Sequence, residues 1–116
     1  MNTNMMNMIL VYDERGSDVA VRALSKIYEY SAKGFKRFNI IVISNLPKPI
    51  YLDKLKDLVR NVVAFTLFIK YYGSSPKELG ELATMIRDKP HLAIIESSLS
   101  DYINVARKCG LNFETV

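Results

Sequence analysis

The sequence predicts an α/β domain in which about five mostly parallel strands alternate with helices in a doubly wound three-layer sandwich. Short apolar runs rich in Ile, Val and Phe alternate with longer segments whose apolar residues recur at helical spacing. Most of these runs lack polar alternation, which is typical of strands covered by helices on both faces. Since no repeat or linker interrupts the pattern, residues 1–116 are expected to form one domain.

The elements follow in the order β-α-β-α-β-α-β-α-β. Strands are predicted at 8–12, 38–43, 65–71, 92–95 and 112–116. Helices are predicted at 18–33, at 51–63, from 76 onward through the core-facing residues up to Ile86, and at about 99–108. Ser17 is the expected N-cap of the first helix and Gly34 its stop. Ser75 and Pro76 give the third helix the clearest start, with Glu78 completing a capping box. For the strand order we expect a flavodoxin-like or related sheet with a switch point beside the first strand.

Composition narrows the class of protein. The apolar stretches are broken by charged or amide residues well before the roughly 18 residues that a membrane span needs, so no membrane partner is expected. The segment 1–8 has no basic region of a secretion signal, and Cys109 is the only cysteine. These features favour a reducing, cytoplasmic setting.

The net charge of +4 lies entirely in the first sixty residues, where ten Lys and Arg stand against six Asp and Glu. This asymmetry suggests weak nucleic-acid binding as an alternative function, although the charges are spread over two helices and their loops. The candidate contacts are Arg22, Lys26, Lys33, Lys36, Arg37, Lys54, Lys56 and Arg60.

Ligands of doubly wound sheets bind at the carboxyl ends of the strands, so the residues that follow each strand are the candidate site. If the first and fourth strands are neighbours, Asp13 and Glu96 flank one crevice and can hold Mg²⁺ or orient a small-molecule or nucleotide ligand. A surface turn with helix-capping serines explains the same residues without a ligand. The candidate ligand-binding residues are Asp13, Gly16, Ser17, Asn45, Glu96, Ser97 and Ser98.

No catalytic set emerges from the sequence. His91 is the only histidine, and it begins its strand at the end of the sheet opposite the expected site. One histidine and one cysteine do not make a zinc set. The protein is therefore expected not to be an enzyme and to need no cofactor, with Mg²⁺ entering only in the alternative that uses Asp13 and Glu96.

The first half of the chain resembles the universal stress protein family, in which a strand ends in Asp and is followed by Gly-Ser and a helix containing Ala-Leu. The corresponding residues are Asp13, Gly16, Ser17, Ala23 and Leu24. In the second half, Gly73, Ser75 and Pro76, the helix after them and the strand 92–95 are also similar to that family.

The chain departs from the family's pattern at three points. Glu14 and Arg15 separate Asp13 from Gly16, and one extra residue lies between Gly73 and Pro76. Residues 96–99 read Glu-Ser-Ser-Leu where ATP-binding members carry a glycine-rich phosphate loop. The resemblance implies a divergent member without the usual ATP binding, and a homodimer with a regulatory role. We therefore expect a non-enzymatic dimeric binding or regulatory protein.

Overall fold

The structure is a computed structural model that describes residues 5–44, 57, 66–72 and 75–116, with β3 described by its backbone alone. The predicted second helix at 51–63 lies outside the described residues except for Asp57, which is helical and exposed. The described elements are β1 (Met5–Tyr12), α1 (Gly16–Ala32), β2 (Arg37–Ser44), β3 (Thr66–Tyr72), α2 (Pro76–Ile86), β4 (His91–Ile95), α3 (Ser100–Lys108) and β5 (Phe113–Thr115).

The strands form one parallel sheet in the order β3-β2-β1-β4-β5. This confirms the prediction of an α/β fold with a parallel sheet. The flavodoxin order 2-1-3-4-5 does not form, because β4 and not β3 lies beside β1. β2 and β3 lie on one side of β1, and β4 and β5 lie on its other side. The switch point therefore lies between β1 and β4.

Helices lie on both faces of the sheet because β1, β2 and β4 are apolar on both faces. On one face Met8, Leu10, Ile40 and their neighbours pack against α1. On the other face Ile9, Val11, Ile41 and their neighbours pack against α2 and α3. Side chains of successive strand residues point to opposite faces, so one apolar run supplies both cores. No helix within the described residues is long and apolar enough to cross a membrane.

The start of α1 differs from the one predicted from the sequence. α1 begins at Gly16 with Arg15 as its N-cap, so the prediction of Ser17 as the cap was wrong. Its end agrees with the prediction, because α1 stops at Ala32 and Gly34 takes a positive φ of 105° that favours glycine.

The N-terminus of α2 matches most of its prediction. The Ser75 hydroxyl accepts from the Lys77 N–H at 3.2 Å, and Pro76 is the first helical residue. The Glu78 Oε2 atom is buried and has no hydrogen-bond partner within the described residues.

At the amino end of the sheet, hydrogen bonds join several turns to the strands. The Asn7 amide donates to the Pro90 carbonyl at 3.2 Å and its oxygen accepts from Asn39 at 3.0 Å. The His91 Nε2 atom accepts from the Asn112 N–H at 2.9 Å. This places His91 at the opposite end from the strand-end site, as the sequence predicts.

Candidate functional site

Glu96 is the centre of the candidate site, at the switch point between β1 and β4. It follows the last residue of β4, and its N–H donates to the Val11 carbonyl of β1 at 2.9 Å. Its side chain is only 2% exposed. Because β1 and β4 are neighbours in the sheet, the main-chain N–H of Asp13 reaches the Glu96 side chain.

The Glu96 carboxylate holds the β1–α1 loop by hydrogen bonds. Its Oε1 atom accepts from the Asp13 N–H at 3.0 Å and from the Arg15 N–H at 2.6 Å. Its Oε2 atom accepts from the hydroxyl of Ser98, which lies on its own loop. A buried carboxylate needs such donors, since an unpaired charge away from water is strongly unfavourable.

These contacts also set the charge state of Glu96. Burial is the largest influence and by itself raises the pKa of the carboxyl. The hydrogen bonds from Ser98, Asp13 and Arg15, together with the Arg15 charge, outweigh burial and hold the pKa below its ordinary value. Glu96 is therefore an anion at neutral pH.

The position of this anion coincides with a place where many α/β proteins bind phosphate. A βα turn normally directs N–H groups and the positive end of the helix dipole toward a bound anion. Here α1 has no side-chain cap of its own, and the N–H of its N-cap residue Arg15 donates to Glu96. The protein supplies its own anion at this helix N-terminus.

Arg15 covers the outer side of the same loop. Its guanidinium donates from Nε to Asp18 at 3.0 Å and from one Nη atom to the Ser97 hydroxyl at 3.4 Å. The Ser97 N–H donates to the Val116 carbonyl at 2.9 Å. The loop after β4 is thus joined to the N-terminus of α1 and to the end of the chain beyond β5.

A small crevice opens on the other side of Asp13, at the carboxyl ends of β1 and β2. It has a volume of about 180 Å³ including its open mouth and is lined by Val11, Tyr12, Asp13, Ile43, Ser44, Leu99 and Tyr102. The crevice has room for about one water molecule. A ligand of nucleotide size would have to displace these side chains.

The surroundings of the crevice are acidic. Burial raises the pKa of the Tyr102 hydroxyl, and the charges of Glu78, Asp101 and Asp13 raise it further. Three carboxylates near one phenol give this edge a negative potential, which repels phosphate groups. No group of three His, Cys, Asp or Glu side chains with metal-site geometry occurs in residues 5–44, 57, 66–72 and 75–116.

The structure places the other predicted ligand-binding residues around this loop. Gly16 is buried as the first residue of α1, whereas Ser17, Ser97 and Ser98 are exposed. Asn45 lies outside the described residues. Sequence reasoning missed Tyr102 as a crevice residue, because its helical spacing indicates only a core position; its place one turn into the helix after β4 was the available signal.

The predicted nucleic-acid residues separate into groups. Arg22 and Lys26 project from α1 toward Glu114 of β5, at 3.7 Å and 3.0 Å. Lys33, Lys36 and Arg37 lie at the amino end of the sheet. Those outside the described residues are Lys54, Lys56 and Arg60.

The candidate site is therefore the β1–α1 loop, residues 13–15, which Glu96 holds at the switch point beside a small acidic crevice. We call residues 13–15 the closed loop. The Glu96 carboxylate binds main-chain N–H groups of its own chain. Comparisons with protein-family models, with curated proteins and with solved structures found no match to this chain.

Proposed function

We propose that this chain is a non-enzymatic, cytoplasmic binding or regulatory protein, a divergent relative of the universal stress proteins that acts as a homodimer. We further propose that the whole domain is a doubly wound three-layer sandwich that does not bind ATP in the usual way. The observation that supports the last point is the Glu96 carboxylate, which accepts hydrogen bonds from the N–H groups of Asp13 and Arg15.

The physical argument concerns competition for these donors. A phosphate bound by the β1–α1 loop would compete with Glu96 for the N–H groups of Asp13 and Arg15. At about 4 Å from the carboxylate, the phosphate would also be repelled by about 4 kcal/mol at an effective dielectric constant near 20. A penalty of that size lowers affinity by about three orders of magnitude.

Isothermal titration calorimetry with ATP and with AMP, each with and without Mg²⁺, tests this proposal. We expect no binding stronger than about 1 mM, the level at which a few weak contacts contribute about 4 kcal/mol. Micromolar binding of either nucleotide to the unmodified protein would overturn the proposal.

A Mg²⁺-dependent enzyme or binder that uses Asp13 and Glu96 on a nucleotide or phosphorylated ligand is the second candidate. The observation in its favour is that Asp13 lines the crevice together with the Ser44 and Tyr102 side chains. It predicts that Asp13→Asn abolishes turnover of such a ligand while the melting temperature changes little. Equal turnover by Asp13→Asn and the unmodified protein would exclude this role for Asp13.

A further inference from the structure

Seven basic residues of this protein lie at the end of the sheet where the strands begin. Since all paired strands are parallel, the loops that lead into β2, β4 and β5 lie together at their amino ends. These loops and the helix ends beside them carry seven cations, which we call the basic edge. Its members are Lys33, Lys36, Arg37, Arg87, Lys89, Arg107 and Lys108.

The basic edge is accessible and is not neutralised by neighbouring acids. Six of its side chains are exposed, and Arg37 is partly buried. Within the described part of the chain, none of the seven takes part in an ion pair. Asp88 is the sole acidic residue in 33–37, 87–90 and 107–112. Glu29, in the last turn of α1, is instead paired with Lys26 at 3.4 Å.

Helix dipoles account for only part of this pattern. A cation near the C-terminus of a helix offsets the partial negative charge there, which is sufficient reason for Arg107 and Lys108 in the last turn of α3. Lys36, Arg37 and Lys89 lie beyond the last turns of their helices, at or just before the start of a strand. Their charge has no such structural purpose.

Several acidic residues lie at the opposite end of the sheet, where the strands end. Asp13, Glu14 and Asp18 follow β1, Glu78 begins α2 and Asp101 begins α3. Arg15, a cation at this end, is paired with Asp18 at 3.0 Å. Among the described residues, positive charge therefore predominates at the basic edge and negative charge at the opposite end, so that a polyanion is attracted to the first and repelled by the second.

We propose that the basic edge binds the phosphate backbone of double-stranded nucleic acid without regard to base sequence. From β2 to β5 the edge spans three strand spacings, or about 15 Å. A duplex carries one charge for about every 1.7 Å of its axis, so this length covers roughly nine phosphates on its two strands together. The basic edge consists of turns and helix ends and has no helix or strand pair that could fill a groove of the duplex. Surfaces of this kind contact the phosphate backbone of the nucleic acid.

Other polyanions fit the edge less well. Single strands are held by exposed aromatic side chains, and no aromatic residue with described burial is exposed. Proteins that bind a lipid surface carry an apolar stripe beside their cationic residues. The exposed large hydrophobic side chains in the described residues are instead two separate ones, Val21 and Met85. This inference concerns the edge opposite the closed loop and does not depend on the proposed function.

Fluorescence anisotropy with a labelled duplex of about 20 base pairs tests the proposal. Four to six phosphate contacts predict a slope of log affinity against log salt between about −3.5 and −5.5, which lowers affinity about 10²–10³-fold from 50 to 200 mM salt. The variant Arg87→Gln with Lys89→Gln should lower affinity at least tenfold at 50 mM salt and reduce the slope by about two.

The control is Lys77→Gln, which removes one positive charge from an exposed residue away from the basic edge. It should keep most of the affinity, and circular dichroism checks that both variants fold. No duplex binding at 50 mM salt, or equal losses in the two variants, overturns the proposal. Binding to vesicles that contain phosphatidylserine, without duplex binding, also overturns it and assigns the edge to a membrane surface.

Discussion

Replacing Glu96 by alanine removes one buried acceptor that holds three donors from two loops. The donors are the N–H groups of Asp13 and Arg15 and the hydroxyl of Ser98. A hydrogen bond to a charged group contributes about 1.5–3 kcal/mol. The sum overstates the loss, because Arg15 and Ser98 are exposed and their donors can bind water instead. We expect the free energy of unfolding to fall by about 2–4 kcal/mol.

For a domain of 116 residues this loss corresponds to a melting temperature about 8–16 °C lower. Glu14→Ala is the control, since Glu14 is exposed in the same loop and its removal should change stability by less than about 0.5 kcal/mol. Thermal and urea unfolding followed by circular dichroism measure both variants. Melting temperatures of the two variants within 2 °C of each other would refute the assigned role of Glu96.

The pH dependence of a further variant, Glu96→Gln, tests the charge of Glu96. Its pKa in the folded protein is lower than the ordinary value of 4.5, so its contribution to stability is present above about pH 4.5. That contribution is lost as the pH falls through the folded-state pKa. The stability difference between the unmodified protein and Glu96→Gln should therefore shrink from pH 7 toward pH 3. A constant difference over this range contradicts an ionised Glu96.

Three further predictions concern the last strand and its neighbours. His91→Ala removes the acceptor of the Asn112 N–H and should lower stability by about 1–2 kcal/mol while speeding hydrogen exchange at Asn112; unchanged exchange contradicts this contact. Glu114→Gln breaks a partly buried pair with Lys26 and should cost about 0.5–1 kcal/mol, with the loss absent in 1 M salt. Deletion of 112–116 should convert the proposed dimer to monomer or aggregate in sedimentation, and an unchanged dimer excludes this edge from the subunit contact.

The start of α1 illustrates a limit of local sequence patterns. Ser17 was expected to cap this helix, because serine before a helical segment usually does so. The helix instead begins at Gly16, and the N–H of its N-cap residue donates to Glu96, eighty-one residues away in the chain. A partner at that distance leaves no trace in the spacing around the helix. The cap of α2 was predictable because Ser75 and Lys77 are neighbours in the chain.

The sequence alone determined the α/β class, the positions of most described elements and the placement of Asp13 and Glu96 after strands, because apolar periodicity and turn residues act over a few positions. Only the tertiary structure decided what these residues do. The sheet order brings β4 beside β1, so that Glu96 holds the β1–α1 loop. Parallel pairing likewise brings the seven residues of the basic edge together from separate segments of the chain. Strand order depends on packing between segments far apart in the chain, and such contacts are not encoded at any single position.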